Sequence, residues 1–356
     1  MIIFSILMKN RFFLTVLPVA AALLAGCSKT DVIPAESAPQ EITFQTVETK
    51  AASKFATDKK FYSYAYFLEK GKNWSANSST AEAYISSSLI EYVTAKTAWK
   101  NTTTTYYWPK EGTLTFFAWT DYTASPAVTG CTIDCAIDKG INTTGYTVTS
   151  NMNKDLMVAD IAADQQYDGW AKGVPTIFKH VLSNLIFTVK TDEATTGNVY
   201  PDGMFKLKSI KLKNVSTKGD YTQGSSTAST TPWSNQGTPA ELSTYSGSEV
   251  TVTNTAQTLT PASADYFIVL PQTFAPVATI TADTPVIEVV YTITTNYTGT
   301  AVTETVTATQ SLDKIYTASW ENGKKYTLNI ILGLKEILWD PDVTDWTTGT
   351  TAELNI

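Results

Sequence analysis

The sequence predicts an all-β protein, two tandem β-sandwiches behind an exported N-terminus. Three observations carry that expectation. Charged residues make up only 17% of the chain while Thr, Ser, Tyr and Trp are plentiful, which suits strands with one packed and one solvated face. Short segments of period-two alternation recur between Ser/Thr/Gly-rich connections. No stretch longer than a turn or two repeats its apolar residues every 3.6 positions. With 356 residues, the chain can build two cores of ordinary size.

At the start, Lys9 and Arg11 lead into an apolar run from Phe12 to Leu24, broken by Thr15 and Pro18. This is the charged start and short apolar core of a secretory signal, and it is shorter than the roughly 20 residues of a spanning helix. Leu24-Ala25-Gly26-Cys27 follows and resembles a bacterial lipobox. The resemblance implies cleavage after residue 26 and a lipid on Cys27. An ordinary signal peptide with an incidental cysteine is the alternative. The expected organisation is a signal peptide over 1–26, a tether over 27–40, an N-terminal sandwich over 41–172 and a C-terminal one over 173–356. Pro34, Ala35, Ser37 and Pro39 give the tether its extended, polar character.

Glu41 to Val47 reads as the first strand, with Ile42, Phe44 and Thr46 on one face. Glu48 to Lys60 is polar, holds four lysines including Lys50 and Lys54, and reads as an exposed loop. Phe61 to Leu68 alternates with aromatics on both faces, and Tyr106-Tyr107-Trp108-Pro109 ends another strand. A Lys110-Glu111-Gly112 turn sets up the strand Leu114–Trp119. Asp155 to Ala159 closes the first half, and Gly169 to Gly173 with Pro175 marks the boundary. Strands are then expected at 185–190, 205–215, 265–270, 286–294, 302–309 and 325–332, with the longest loop from Thr217 to Gly247.

Charge and motif content narrow the function. The formal net charge is −7 and no basic block occurs, so nucleic acid and anionic headgroups are poor partners. The chain lacks a phosphate-binding Gly-x-x-x-x-Gly-Lys-Ser/Thr loop, a Gly-x-Ser-x-Gly elbow and a His-Glu-x-x-His pair, and no catalytic residue, metal or cofactor is expected. His180, the only histidine, sits in an apolar segment and reads as a packed structural residue. Asp340, Asp342 and Asp345 read as a solvated turn rather than acid catalysts or calcium ligands. Cys131 and Cys135 lie four residues apart. Extended chain would hold them too far apart for a disulfide, whereas a turn would allow one, and both options stand. Nine tryptophans leave a second function open, a surface lipoprotein that stacks glycans on exposed aromatic rings.

The order of segments resembles the fimbrillin family, subunits of type V pili in anaerobic gut and oral bacteria. The likeness is carried by the lipobox, the Thr49-Lys50-Ala51 junction, Tyr107-Trp108-Pro109 with Leu114–Trp119, and Asp155-Leu-Met-Val-Ala159. Phe178-Lys-His-Val-Leu-Ser183, Ser209-Ile-Lys-Leu212 and Val343-Thr-Asp-Trp346 continue it. The resemblance implies two transthyretin-like sandwiches, export to the outer membrane and cell surface, and assembly with other pilus subunits, with a role in adhesion to a host or bacterial surface. It also implies proteolysis behind the first strand, here after Lys50 or Lys54. Loss of Ile42 and Phe44 would open a groove, filled by an extended segment of the next subunit. Trp339, Val343 and Trp346 belong to the candidate donor run, whose alternative is one more intramolecular strand. The family's usual cut follows arginine, and Arg11 is the only arginine here. An uncut, lipidated pilus anchor is therefore the alternative within the family.

Overall fold

Alternating side chains dominate the computed structural model as they do the sequence. It describes residues 38–46, 55–152, 154–167, 173–224, 232–246, 248–259, 267–296, 299–316, 319–334 and 337–346. Cys27, Lys50 and Lys54 lie outside the described residues, as do most of the expected tether and the signal. The protein is all-β, with one-turn α-helices at Trp74–Asn77, Glu193–Thr196 and Leu312–Ile315 and three short 3-10 turns among the described residues.

In the first half the strands are β1 (Phe44–Thr46), β2 (Phe61–Leu68), β3 (Glu82–Val93), β4 (Ala98–Lys100), β5 (Thr113–Thr120), β6 (Ile133–Ala136), β7 (Gly140–Thr147), β8 (Met157–Ala159), β9 (Ala162–Gln165), β10 (Val174–Thr176) and β11 (Phe178–His180). The second half adds β12 (Ser183–Thr191), β13 (Phe205–Thr222), β14 (Trp233–Tyr245), β15 (Val250–Thr251), β16 (Gln257–Leu259), β17 (Phe267–Val269) and β18 (Gln272–Thr273). β19 (Val286–Asn296), β20 (Ala301–Ser311), β21 (Ser319–Trp320), β22 (Lys324–Leu332) and β23 (Ile337–Asp345) complete it.

A nine-stranded sheet runs β10-β1-β4-β3-β2-β5-β8-β11, with β9 on β5. One face of this sheet lines a single core of Phe44, Phe61, Ile85, Ile90, Trp99, Leu114, Phe116 and Val174, contributed by strands from end to end of the order. The sheet therefore curls around its own apolar face. Its other face packs Phe117, Trp119 and Val158 against Ile141, Tyr146, Tyr221, Trp233, Ile268 and Leu270. In the second half, a five-stranded sheet (β16-β12-β22-β23, with β17 on β12) faces a seven-stranded one built on β13. Leu185, Phe187, Val189, Leu207, Ile210, Leu212, Val289, Leu328 and Ile330 fill the space between. That is a two-sheet sandwich whose inner residues alternate along each strand except where bulges in β13 shift the phase.

Strand pairing continues across the expected 172/173 boundary. β10 pairs with β1 and β11 with β8, so the change of sheet comes between His180 and Ser183. In the opposite sense, the β6–β7 hairpin joins the second-half sheet through β13. Cross-links reinforce this. Gln223 Nε2 donates to Ala159 O at 2.7 Å, and Trp233 Nε1 to Val181 O at 2.5 Å. Residues 39–356 form one compact unit.

The expected long loop from Thr217 to Gly247 is replaced in large part by strand. β13 continues to Thr222, and β14 begins at Trp233. Its sequence is polar, but Thr217, Tyr221, Trp233, Leu242 and Thr244 are buried at alternating positions, and that spacing holds the strands. The Lys110-Glu111-Gly112 turn is present. Gly112 has φ +88°, and a Cβ there would stand 2.3 Å from Leu68 O, so only glycine fits.

Candidate functional site

The first strand and the slot that holds it form the candidate site. Residues 40–46 lie between two partners. On one side β1 pairs antiparallel with β4, Phe44 opposite Trp99. On the other it pairs parallel with β10, Phe44 opposite Val174. The ladder extends upstream of β1. Ile42 N–H donates to Tyr106 O at 2.8 Å, Trp108 N–H to Gln40 O at 2.9 Å, and Val174 N–H to Thr43 O at 2.7 Å.

Alternation sends Ile42 and Phe44 inward, and each is only 3% exposed. The Phe44 ring meets Phe61 and Phe116 edge-on, both centroids at 5.7 Å. Glu41 forms an ion pair with Lys100 at the sheet surface. Gly173 lets β10 come this close. At φ +80° its missing Cβ would stand 2.7 Å from Thr43 O. Downstream, Phe55 re-enters the same core, stacked on Phe178 at 5.0 Å and edge-on to Trp99 at 5.2 Å. The segment with Lys50 and Lys54 thus joins two buried aromatic anchors, Phe44 and Phe55.

Ile42 and Phe44 are legible in the sequence as the inner face of the strand. Their receiving partners, Trp99, Lys100, Tyr106, Gly173 and Val174, are not. Those residues sit on short segments whose pairing to β1 is set by tertiary structure alone, and only Gly173 beside Pro175 carries a local signal.

The candidate donor run is paired within the chain. Ile337–Asp345 lies antiparallel on β22 through nine consecutive pairs, Lys324 opposite Asp345 to Leu332 opposite Ile337. Val343 is half-exposed, and the side chain of Trp339 is outside the described set. Trp346 is buried and stacks on the His180 imidazole, centroids 3.8 Å apart and planes within 8°. Behind it, His180 Nδ1 meets the Asp155 carboxylate at 2.9 Å. This stack ties the end of β23 to β11 and to Asp155, just before β8, in the first half. His180 Nε2 is buried without a hydrogen-bond partner, so no hydroxyl stands where a Ser-His-Asp relay would need its nucleophile.

Burial is the main influence on Asp155 and raises its pKa above the ordinary 3.8. The His180 contact opposes this, and Asp121 adds to it. Folded chain therefore holds the Asp155 proton to higher pH than unfolded chain does. The stability this proton contributes is complete below the unfolded value and is lost as pH rises through the raised folded value. Asp155→Asn has no such dependence. In urea titrations across the acid range, the stability of wild type relative to D155N is expected to fall as pH rises. A flat or rising difference would contradict the assignment.

Cys131 and Cys135 are free thiols. Cys135 lies on extended β6, and Cys131 stands two residues before that strand begins. The Cys135 thiol is buried and its pKa is pushed up to about 12, mainly by desolvation, which leaves it unreactive. The alternative of a glycan platform also loses candidate residues. Trp74, Trp99, Trp119, Trp233, Trp320 and Trp346 are all buried, and Trp108 is partly so. Among the described residues no group of three or more His, Cys, Asp or Glu is placed to hold a metal ion.

Comparison with known proteins gives this site a context. A fimbrial protein from Bacteroides vulgatus has a similar fold, with a TM-score of 0.63 at 18% identity, covering 86% of this chain and 100% of that one. The tip fimbrial protein Mfa3 from Porphyromonas gingivalis aligns over 86% of this chain and 100% of its own, at 12% identity and a TM-score of 0.38. No curated protein matches the chain. The sequence model of the fimbrillin-like family matches residues 42–346, which begins within the first strand and ends on the residue stacked over His180. The chain belongs to the fimbrillin-like family.

Proposed function

We propose that this chain is a structural subunit of a cell-surface pilus, exported as a lipoprotein on Cys27 and assembled by exchange of its first strand. The observation that supports this reading is the two-sided slot around residues 40–46. Removing that segment leaves unpaired backbone on both β4 and β10 and empties two apolar pockets, a site that an incoming strand can complete. Cleavage after Lys50 or Lys54 severs the first strand from Phe55 and leaves that second anchor with the body. Assembly then joins subunits into a polymer with a role in adhesion.

The sequence offers an occupant for the slot. Glu353-Leu354-Asn355-Ile356 repeats the pattern Glu41-Ile42-Thr43-Phe44, acid first and apolar side chains at the second and fourth places. β23 stays at home on β22, and the segment beyond Trp346 reaches the next subunit. Leu354 then takes the Ile42 pocket, Ile356 the Phe44 pocket, and Glu353 faces Lys100.

A chain beginning at Ala51 is expected to polymerise, and the same chain with Leu354→Asp and Ile356→Asp to remain monomeric, by light scattering. Polymers formed equally by both would overturn the donor assignment, and a monomeric parent would overturn the exchange mechanism. The absence of arginine after Arg11 favours one second reading, an uncut anchor that ends a pilus at the membrane. Intact mass of protein taken from the native surface separates the two: a start at Ala51 or Phe55 supports the polymerising subunit, and acylated Cys27 the anchor.

A further inference from the structure

Among the described residues the longer strand edges are guarded, with one exception. β6 and β9 are four residues long, and β10 and β11 three, with Pro175 in the middle of β10. β14 is long, but its pairing to β13 shifts register three times, and Asn235 and Thr238 hold positive φ beside Pro239. β23 carries Pro341 between Asp340 and Asp342. Short length, bulges, proline and charge are the usual devices that stop an edge from recruiting another strand.

β20 has neither short length, bulge nor proline, and a single charge. It closes the seven-stranded sheet with 11 residues, paired to β19 without a break from Ala301–Asn296 to Ser311–Val286. It contains neither proline nor glycine, and Glu304 is its only charge. Thr303, Thr305, Thr307 and Thr309 are exposed along one face, while Val306 and Ala308 lean on the sandwich core.

The sequence of β20 is also complementary to itself. Laid antiparallel about Val306, it sets Thr305 against Thr307, Thr303 against Thr309 and valine against valine. Glu304 meets Ala308, so no like charges oppose each other. Cross-strand threonine pairs favour such an arrangement. We infer that β20 is the pairing edge for β20 of a second copy of this chain, antiparallel, on a two-fold axis through Val306. The contact is isologous, so it closes after two copies.

One edge pair buries less than the roughly 1,200 Å² of a standard interface, so two separate chains bind weakly. Subunits already held in a line, which rests on the polymer reading above, present many such edges at once. Repetition then converts weak pairs into side-by-side association of fibres.

The test uses the uncut chain with Cys27→Ser, in which strand exchange cannot operate, so failure here is separate from failure of that mechanism. Sedimentation equilibrium up to ~1 mM is expected to show a reversible dimer. T305K/T307K sets lysine against lysine across the axis and is expected to weaken the dimer at least about tenfold, with the melting temperature held because both sites are exposed. T305K/T307E sets lysine against glutamate and is expected to restore it. A wild-type chain that stays monomeric, or a T305K/T307K dimer of equal strength, would overturn the pairing. Loss in T305K/T307K without recovery in T305K/T307E would overturn the two-fold register.

Discussion

Truncating Phe44 to alanine is expected to destabilise the uncut chain by about 3–5 kcal/mol. The ring is almost wholly buried, and the two aromatic rings it meets edge-on belong to the central strands β2 and β5. Those strands are locked by seven consecutive pairs and cannot close over the void. The cost should fall unevenly. Hydrogen exchange in residues 40–46 is expected to accelerate well before exchange in β2 or β5, because the segment is held by one strand on each side and two apolar side chains. Urea denaturation of the Cys27→Ser chain gives the total, and exchange gives its distribution. A loss below about 1 kcal/mol would show that the slot does not depend on the Phe44 ring.

Trp346→Ala is expected to cost a similar amount, about 3–5 kcal/mol, for a different reason. The indole covers the His180 ring and closes the core between the two halves. Its removal bares a buried imidazole and detaches the end of β23, an edge strand whose other side is open. Exchange in residues 337–345 is expected to rise while exchange in β12 stays slow. Trp346→Phe, which keeps a flat ring over His180, is expected to recover most of the loss. Equal exchange in wild type and W346A would show that β22 alone holds β23.

The two substitutions also mark what could be read without coordinates. The β2, β5, β19 and β22 segments are plain in the sequence because each is a run of aromatic and β-branched residues with clear turn residues near its ends. His180 is recognisable as packed from its apolar neighbours. Its partners are not, since Asp155 and Trp346 lie 25 residues before and 166 residues after it and share no local pattern with it. β3 and β14 escape for another reason. Their exposed faces are rich in Ser, Thr and Glu, and bulges interrupt the alternation, so little apolar periodicity survives. The slot for β1 is legible from the side that leaves it and silent from the side that receives it. A strand carries its own inward face, whereas a pocket is assembled from distant segments.

The parallel pairings set a timetable for folding. β12 and β22, side by side at the heart of the five-stranded sheet, are joined by contacts such as Thr188 to Asn329, 141 residues apart. β1 likewise waits for β10, which follows nearly the whole first half. Non-local pairs of this kind form late and slowly. As the polypeptide emerges N-terminus first, β1 lacks its β10 partner until Thr176 has been made, and the second sandwich cannot close until Leu332 has. The first strand is therefore seated on both sides well before the second sandwich closes, and the β12–β22 pairing at the heart of the five-stranded sheet is among the last to be made.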